Sequence, residues 1–205
     1  MSLEGGASSM GRTAEFHWKT REVEVRVAVD IDGRGSATVQ TGIAFFDHLL
    51  EAFVRNAAID LELSAKGDLQ VDFHHTVEDT GIALGIALRQ ALGDKRGIYR
   101  YGWAILPMDE ALVRAALDLS GRPFFSLVRE RRFDRVGEFD GELAEEFLRA
   151  FTNNLGMNLH LEVLAGWNTH HVLEAVFKAL GRAFRMAAEK DPRLQDVPST
   201  KGALQ

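Results

Sequence analysis

Cysteine is absent from the 205 residues, and proline occurs only four times. Without a thiol the chain has no thiolate zinc site, iron–sulfur cluster, cysteine nucleophile or disulfide framework, and it suits a reducing cytoplasm, where we expect it to reside. No run of 18 apolar residues occurs, so no membrane helix is expected. The opening MSLEGGASSMGR lacks the apolar stretch of a signal peptide, and residues 1–12 read as a flexible leader. A net charge of -6 leaves no general basic face for nucleic acid. The 46% hydrophobic and 26% charged residues are those of an ordinary globular chain, which excludes disordered and collagen-like classes. A chain of this length hides roughly 70% of its surface on folding, so it needs no structural metal, and metal ligands in it call for a functional explanation.

Periodicity outlines the elements. Residues 20–29 alternate as a half-buried strand, and Asp32-Gly33 predicts a hairpin turn into a strand at 36–40. Apolar residues at helical spacing follow over 45–56. Strands are then expected at 59–64 and 69–73, with Lys66-Gly67-Asp68 as the turn between them. A long helix over 76–92 ends at Gly93. Strands at 99–107, 111–118 and 124–128, a helix at 143–154, a strand at 158–163, a helix at 171–189 and an irregular tail complete the chain.

The segment HHTVEDTGIALGIALRQA, starting at His74, lies over HHVLEAVFKALGRAFRMA, starting at His170, at constant offset. Upstream, EAFVRNAAIDLEL at Glu51 lies over RAFTNNLGMNLHL at Arg149. Self-similarity of this kind marks a duplicated unit. Each half is expected to be a small sheet with two helices on one face, and the halves to pack helix against helix as an α+β sandwich. The boundary falls near Arg100, giving a first half-repeat over 13–100 and a second, with its tail, over 101–205.

Six of the seven histidines (His48, His74, His75, His160, His170 and His171) lie in or beside the repeated segments. By composition H-H-x-x-E arises about 0.02 times in such a chain, yet it stands here twice at equivalent positions. On a helix the Glu lies three and four residues from the two His, so all three share one face near the helix start. Adjacent His side chains diverge by about 100°, which favours two neighbouring ions over one. His48, His74, His75 and Glu78 in the first half are matched by His160, His170, His171 and Glu174 in the second. Three imidazoles and a carboxylate per ion, with positions left for water or substrate, suit Mn²⁺, with Fe²⁺, Co²⁺ and Zn²⁺ as competitors.

FFDHLLE at Phe45, AKGDLQVDFHHTVEDTGIALGIAL at Ala65, PMDEALVRAALDLSGRP at Pro107, NLHLEVLAGWNTHH at Asn158 and PSTKGAL at Pro198 together resemble the imidazoleglycerol-phosphate dehydratase family. The resemblance implies two four-stranded mixed sheets flanking a central helical layer. It also implies a homo-oligomer of 24 subunits built from trimers, with active sites between subunits. It divides the ligands of two Mn²⁺ ions into His48, His75, Glu78 and His170 for one, and His74, His160, His171 and Glu174 for the other. Substrate contacts fall on Glu22, Arg100, Arg122, Ser199 and Lys201, of which the last four make chemical sense as a phosphate clamp. The implied reaction is dehydration of imidazoleglycerol phosphate to imidazole acetol phosphate through an imidazolate held between two cations, with Glu22, Glu174 and Glu78 as proton-transfer groups.

Two positions depart from the family pattern. Asp72-Phe73 stands where Asp-Asp is usual, with Phe73 expected to pack in the core, and Asn56-Ala57 stands where His-Gly is common, with Asn56 keeping a polar substrate contact. Two other readings compete: a dinuclear hydrolase of a phosphorylated metabolite, and a non-catalytic assembly whose ions join subunits.

Overall fold

A computed structural model describes residues 11–204. The twelve elements run β1 (Thr13–Lys19), β2 (Val23–Asp30), β3 (Ala37–Gln40), α1 (Ala44–Ala57), β4 (Asp60–Gly67), α2 (His74–Leu92), β5 (Tyr101–Met108), β6 (Ala111–Asp118), β7 (Phe124–Val128), α3 (Glu142–Leu155), β8 (Asn158–Ala165) and α4 (Thr169–Ala188). They form two four-stranded sheets of identical topology, β1-β2-β4-β3 and β5-β6-β8-β7, each antiparallel except for its last parallel pair. The four expected helices are present, each with both ends within two residues of its expected bounds.

Strand alternation turns the apolar residues of each sheet inward. Val23, Val25, Val27 and Val29 of β2 and Ala111, Val113, Ala115 and Leu117 of β6 are buried on the helix side. The helices pair across the halves, α1 on α4 and α2 on α3. Their shared layer holds a chain of aromatic contacts in which Phe147 lies 5.3 Å from Phe46 and 5.4 Å from Phe177, with Phe53 5.7 Å from Phe151. Glycines set the closest approaches. A β-carbon at Gly181 on α4 would stand 2.5 Å from the Phe53 carbonyl oxygen on α1, and one at Gly85 on α2 would stand 2.8 Å from that of Phe151 on α3. On β5, a β-carbon at Gly102 would overlap the Ala183 carbonyl oxygen of α4.

Three expectations are corrected. Residues 20–22 form the turn of the β1–β2 hairpin, with the Thr20 amide donating to Val23 O at 2.9 Å, so the strand starts at Val23 and an unforeseen β1 precedes it. Asp32-Gly33 does not close a hairpin. The Asp60 carboxylate accepts the Arg34 and Ser36 amides, which carries the chain past β2 to pair β3 in parallel with β4. Residues 69–73 are a turn rather than a strand: the Val71 amide donates to Asp68 O at 2.8 Å, Val71 is 67% exposed, and α2 begins at His74. Phe73 packs against the core as expected. Of the residues read as a leader, 1–10 lie outside the described residues, while Arg12 is tied down by a bidentate pairing with Asp32 and a bond to the Ala188 carbonyl.

Candidate metal centre

The histidine pairs open the two long helices, where consecutive side chains splay apart. The ring planes of His74 and His75 meet at 87° and those of His170 and His171 at 83°. One member of each pair therefore faces a different direction from the other. His48, from the second turn of α1, meets His170 and Glu174 of α4, and the Glu174 Oε2 stands 3.5 Å from His48 Nε2 and 3.4 Å from His170 Nε2. These three donor atoms all lie within 4.8 Å of one another. Two imidazole nitrogens and a carboxylate oxygen at that spacing fit a divalent first-row ion.

Glu174 is the buried member of this group. Burial pushes its carboxyl up, but the Lys178 ammonium, bonded at 2.6 Å from the next turn, and His48 outweigh that and leave it below the ordinary value. An ionised carboxylate is the form that binds metal.

The other expected ligands gather in smaller groups. Glu78 Oε2 lies 3.9 Å from His74 Nε2. Asp68 Oδ2 accepts from His75 Nδ1 at 3.2 Å, with Glu22 Oε2 3.6 Å from the same nitrogen, and this hydrogen bond raises His75 above the ordinary histidine value. His171 Nδ1 donates to Glu110 Oε2 at 2.7 Å, which holds the Glu110 carboxyl down at about 2. Glu174 thus approaches His48 and His170, which the resemblance assigns to the other ion, and within one chain no four-ligand set closes among the described residues.

His160 stands apart from all of these. It is on β8 between inward-facing Leu159 and Leu161, so it points away from the helical layer, with Phe124 as its aromatic neighbour.

Among the residues expected at the phosphate, Arg122 and Lys201 are exposed and Ser199 is half-buried. Arg100 forks onto Asp118 at 2.7 and 3.0 Å and donates its remaining arm to Pro198 O at 2.9 Å, so it ties down the tail that carries Ser199 and Lys201. Asn56 donates to Ala52 O of its own helix at 2.9 Å and lies beside Gly181, two turns of α4 beyond Glu174. Sequence reasoning missed Asp68, Glu110 and Lys178. The i,i+4 spacing from Glu174 pointed to Lys178, whereas Asp68 and Glu110 come to their histidines only through the strand connections.

The sequence pattern of the imidazoleglycerol-phosphate dehydratase family matches residues 41–184. An imidazoleglycerol-phosphate dehydratase of Azorhizobium caulinodans is 55% identical over 194 residues, which are 94% of this chain and 98% of that protein. One from Moorella thermoacetica is 54% identical over 195 residues, 95% of this chain and all of that protein. The crystal structure of the imidazoleglycerol-phosphate dehydratase of Staphylococcus aureus superposes with a TM-score of 0.79 at 35% identity, covering 87% of this chain and 99% of that one. That of the Pyrococcus furiosus protein, in complex with (S)-C348, does so at 0.77 and 35%, covering 92% and 99%. Matching in sequence over nearly its whole length and in overall fold, the chain belongs to the imidazoleglycerol-phosphate dehydratase family.

Proposed function

We propose that this dehydratase of histidine biosynthesis is metal-dependent, holds two Mn²⁺ ions per active site and converts imidazoleglycerol phosphate to imidazole acetol phosphate in the cytoplasm. The observation that carries the metal reading is the convergence of His48, His170 and Glu174 on one point, at the head of a helix whose twin opens with the same motif. His48, His74, His75, Glu78, His160, His170, His171 and Glu174 hold the ions. When bound, the ions supply positive charge that acidifies an imidazole ring and offsets the negative charge developing on it.

The chain's own residues bind and move protons. Glu22 is 58% exposed at the tip of the β1–β2 hairpin and carries the proton transfer that a metal-held carboxylate, Glu78 or Glu174, performs less well. Arg122 and Lys201, both exposed, offer their cationic groups to the phosphate, and Arg100 positions the tail from behind.

Each centre is completed between subunits of a homo-oligomer, for which 24 chains built from trimers is the expected form. Two features support this. His160 leaves the chain on the face opposite the helices, and that same outer face of the second sheet exposes Tyr101, Trp103 and Ile105 at 50, 61 and 59%. A contiguous apolar surface of this kind marks an interface.

Chelation followed by dialysis is expected to abolish turnover of imidazoleglycerol phosphate. Mn²⁺ is expected to restore it as uptake approaches two ions per chain, measured by elemental analysis, with Fe²⁺, Co²⁺ and Zn²⁺ poorer substitutes. Full turnover by protein shown to be metal-free would overturn the proposal.

A further inference from the structure

The duplication allows the two halves to be compared position by position at the second histidine of each pair. In the first half Thr20 pairs with Val23 across the turn Arg21-Glu22, and in the second Met108 pairs with Ala111 across the turn Asp109-Glu110. Glu22 and Glu110 therefore hold the same place at the tip of the first hairpin, facing His75 and His171 respectively. The first residue after β4 is Asp68, and the first after β8 is Gly166. The two halves have solved one problem with different carboxylates. In the first half Asp68 bonds His75 Nδ1 and Glu22 stands off at 3.6 Å. In the second half the Asp68 position carries no side chain: Gly166 has φ +131, and a β-carbon there would meet Val172 Cγ2 at 2.6 Å. Glu110 has moved in to 2.7 Å, its side chain only 14% exposed, and is fixed by the Asn168 amide at 2.9 Å. The second oxygen of Asp68, Oδ1, is buried without a partner among the described residues, so His75 is the one hydrogen-bonding task of that carboxylate.

We infer that Asp68 and Glu110 are positioning residues that hold the Nδ1–H of His75 and His171 and so present Nε2 of each ring to an ion, leaving Glu22 as the unspent carboxylate of the hairpin pair. A ring nitrogen that donates to a carboxylate fixes both the tautomer and the angle of the ring, and losing such a partner typically weakens metal binding tenfold to a hundredfold. The asymmetry also accounts for why proton transfer belongs to Glu22 and not to its twin. Glu110 is committed to one nitrogen and a helix start, whereas Glu22 is free to turn toward a substrate.

The inference rests on the metal-dependent reading above, and its test reads metal affinity rather than turnover. Mn²⁺ affinities of the assembled protein would be measured by chelator competition for the wild type, Asp68→Ala, Asp68→Asn, Glu110→Ala, Glu110→Gln and Glu22→Gln, beside thermal unfolding of each metal-free protein. Each alanine variant is expected to weaken one of the two ions by about 10- to 100-fold and leave the other unchanged. The amides, which still accept from Nδ1–H, are expected to recover most of the loss, and Glu22→Gln to bind both ions like the wild type. Affinities unchanged in Glu110→Ala, or a weakened ion in Glu22→Gln, would overturn the inference while leaving the metal reading intact. Amide variants as weak as the alanines, with metal-free unfolding unaltered, would overturn it too, because they would make Asp68 and Glu110 direct ligands. A wild type that takes up no ion would overturn the metal reading and this inference with it.

Discussion

Glu174→Ala is expected to lower turnover of imidazoleglycerol phosphate by about a thousandfold and to reduce bound Mn²⁺ from about two ions per chain to about one. Among the described residues, Glu174 is the oxygen donor of the one group in which two imidazole nitrogens and a carboxylate already converge, and it is the buried partner of Lys178. Among the described residues, its removal leaves His48 and His170 with no anionic partner and Lys178 without its carboxylate. Charge stabilisation by a bound ion is worth several kcal/mol, and a loss of about 4 kcal/mol corresponds to that factor. Steady-state kinetics and elemental analysis on one preparation check it. A variant with two ions and turnover within tenfold of wild type would remove Glu174 from the ligand set.

The second large effect is on stability. Gly102→Ala places a β-carbon on the Ala183 carbonyl oxygen of α4, which is backbone on both sides and has no rotamer into which to retreat. Overpacking a well-filled core costs typically 1 to 3 kcal/mol, and a backbone overlap belongs at the top of that range, about 3 kcal/mol or more. For a protein of this size the melting temperature then falls by roughly 6 to 12 °C. Gly181→Ala, at 2.5 Å from the Phe53 carbonyl, is expected to fall in the same direction by less. Differential scanning calorimetry of the metal-free proteins reads both, and a Gly102→Ala variant melting within about 1 °C of wild type would show that β5 and α4 are not in contact.

Much of this was readable in the letters. Helices α1, α3 and α4 announced themselves because each carries a strong apolar face at helical spacing, whereas α2 is buried over much of its circumference, and the repeated H-H-x-x-E located the heads of α2 and α4 before any fold was drawn. Strand β1 gave little signal, since none of its residues is fully buried and its inward set is only Ala14, Phe16 and Trp18. The misplaced hairpin has a different cause. Asp32-Gly33 has the composition of a tight turn, but what the turn does is decided by Asp60, 27 residues further on, whose carboxylate takes the Arg34 and Ser36 amides. The strand expected at 69–73 failed because alternation alone does not supply a neighbouring strand, and α2 starts before one can be met.

At the site, residue identity was legible and grouping was not. Every expected histidine except His160 lies at or near a helix start or in the second turn of α1, as spacing implied. That Glu174 turns toward His48, or that Glu110 reaches His171, depends on how α1 lies along α4 and where the β5–β6 turn ends, and neither is a local property of sequence. The departure at Asn56 also resolves locally. Asn56 and Asn154, its repeat equivalent, both bond the carbonyl four residues back on their own helices, at 2.9 and 2.8 Å. Asn56 therefore uses its side-chain amide to close a helix end. Membership of the dehydratase family also removes the hydrolase and the non-catalytic assembly from the readings with which the sequence began.

The outward turn of His160 has a genetic consequence. If a chain lends one ligand to its neighbour and borrows another, a defect belongs to a junction and not to a polypeptide. A particle assembled from a His160→Ala chain and a His48→Ala chain, each inactive alone, contains some junctions where both damaged positions fall together and others where neither does. The second kind are whole. Two null alleles of this gene, expressed in one cell, would rescue each other's histidine auxotrophy, and the pairs of alleles that do so would sort the ligands by the subunit that supplies them.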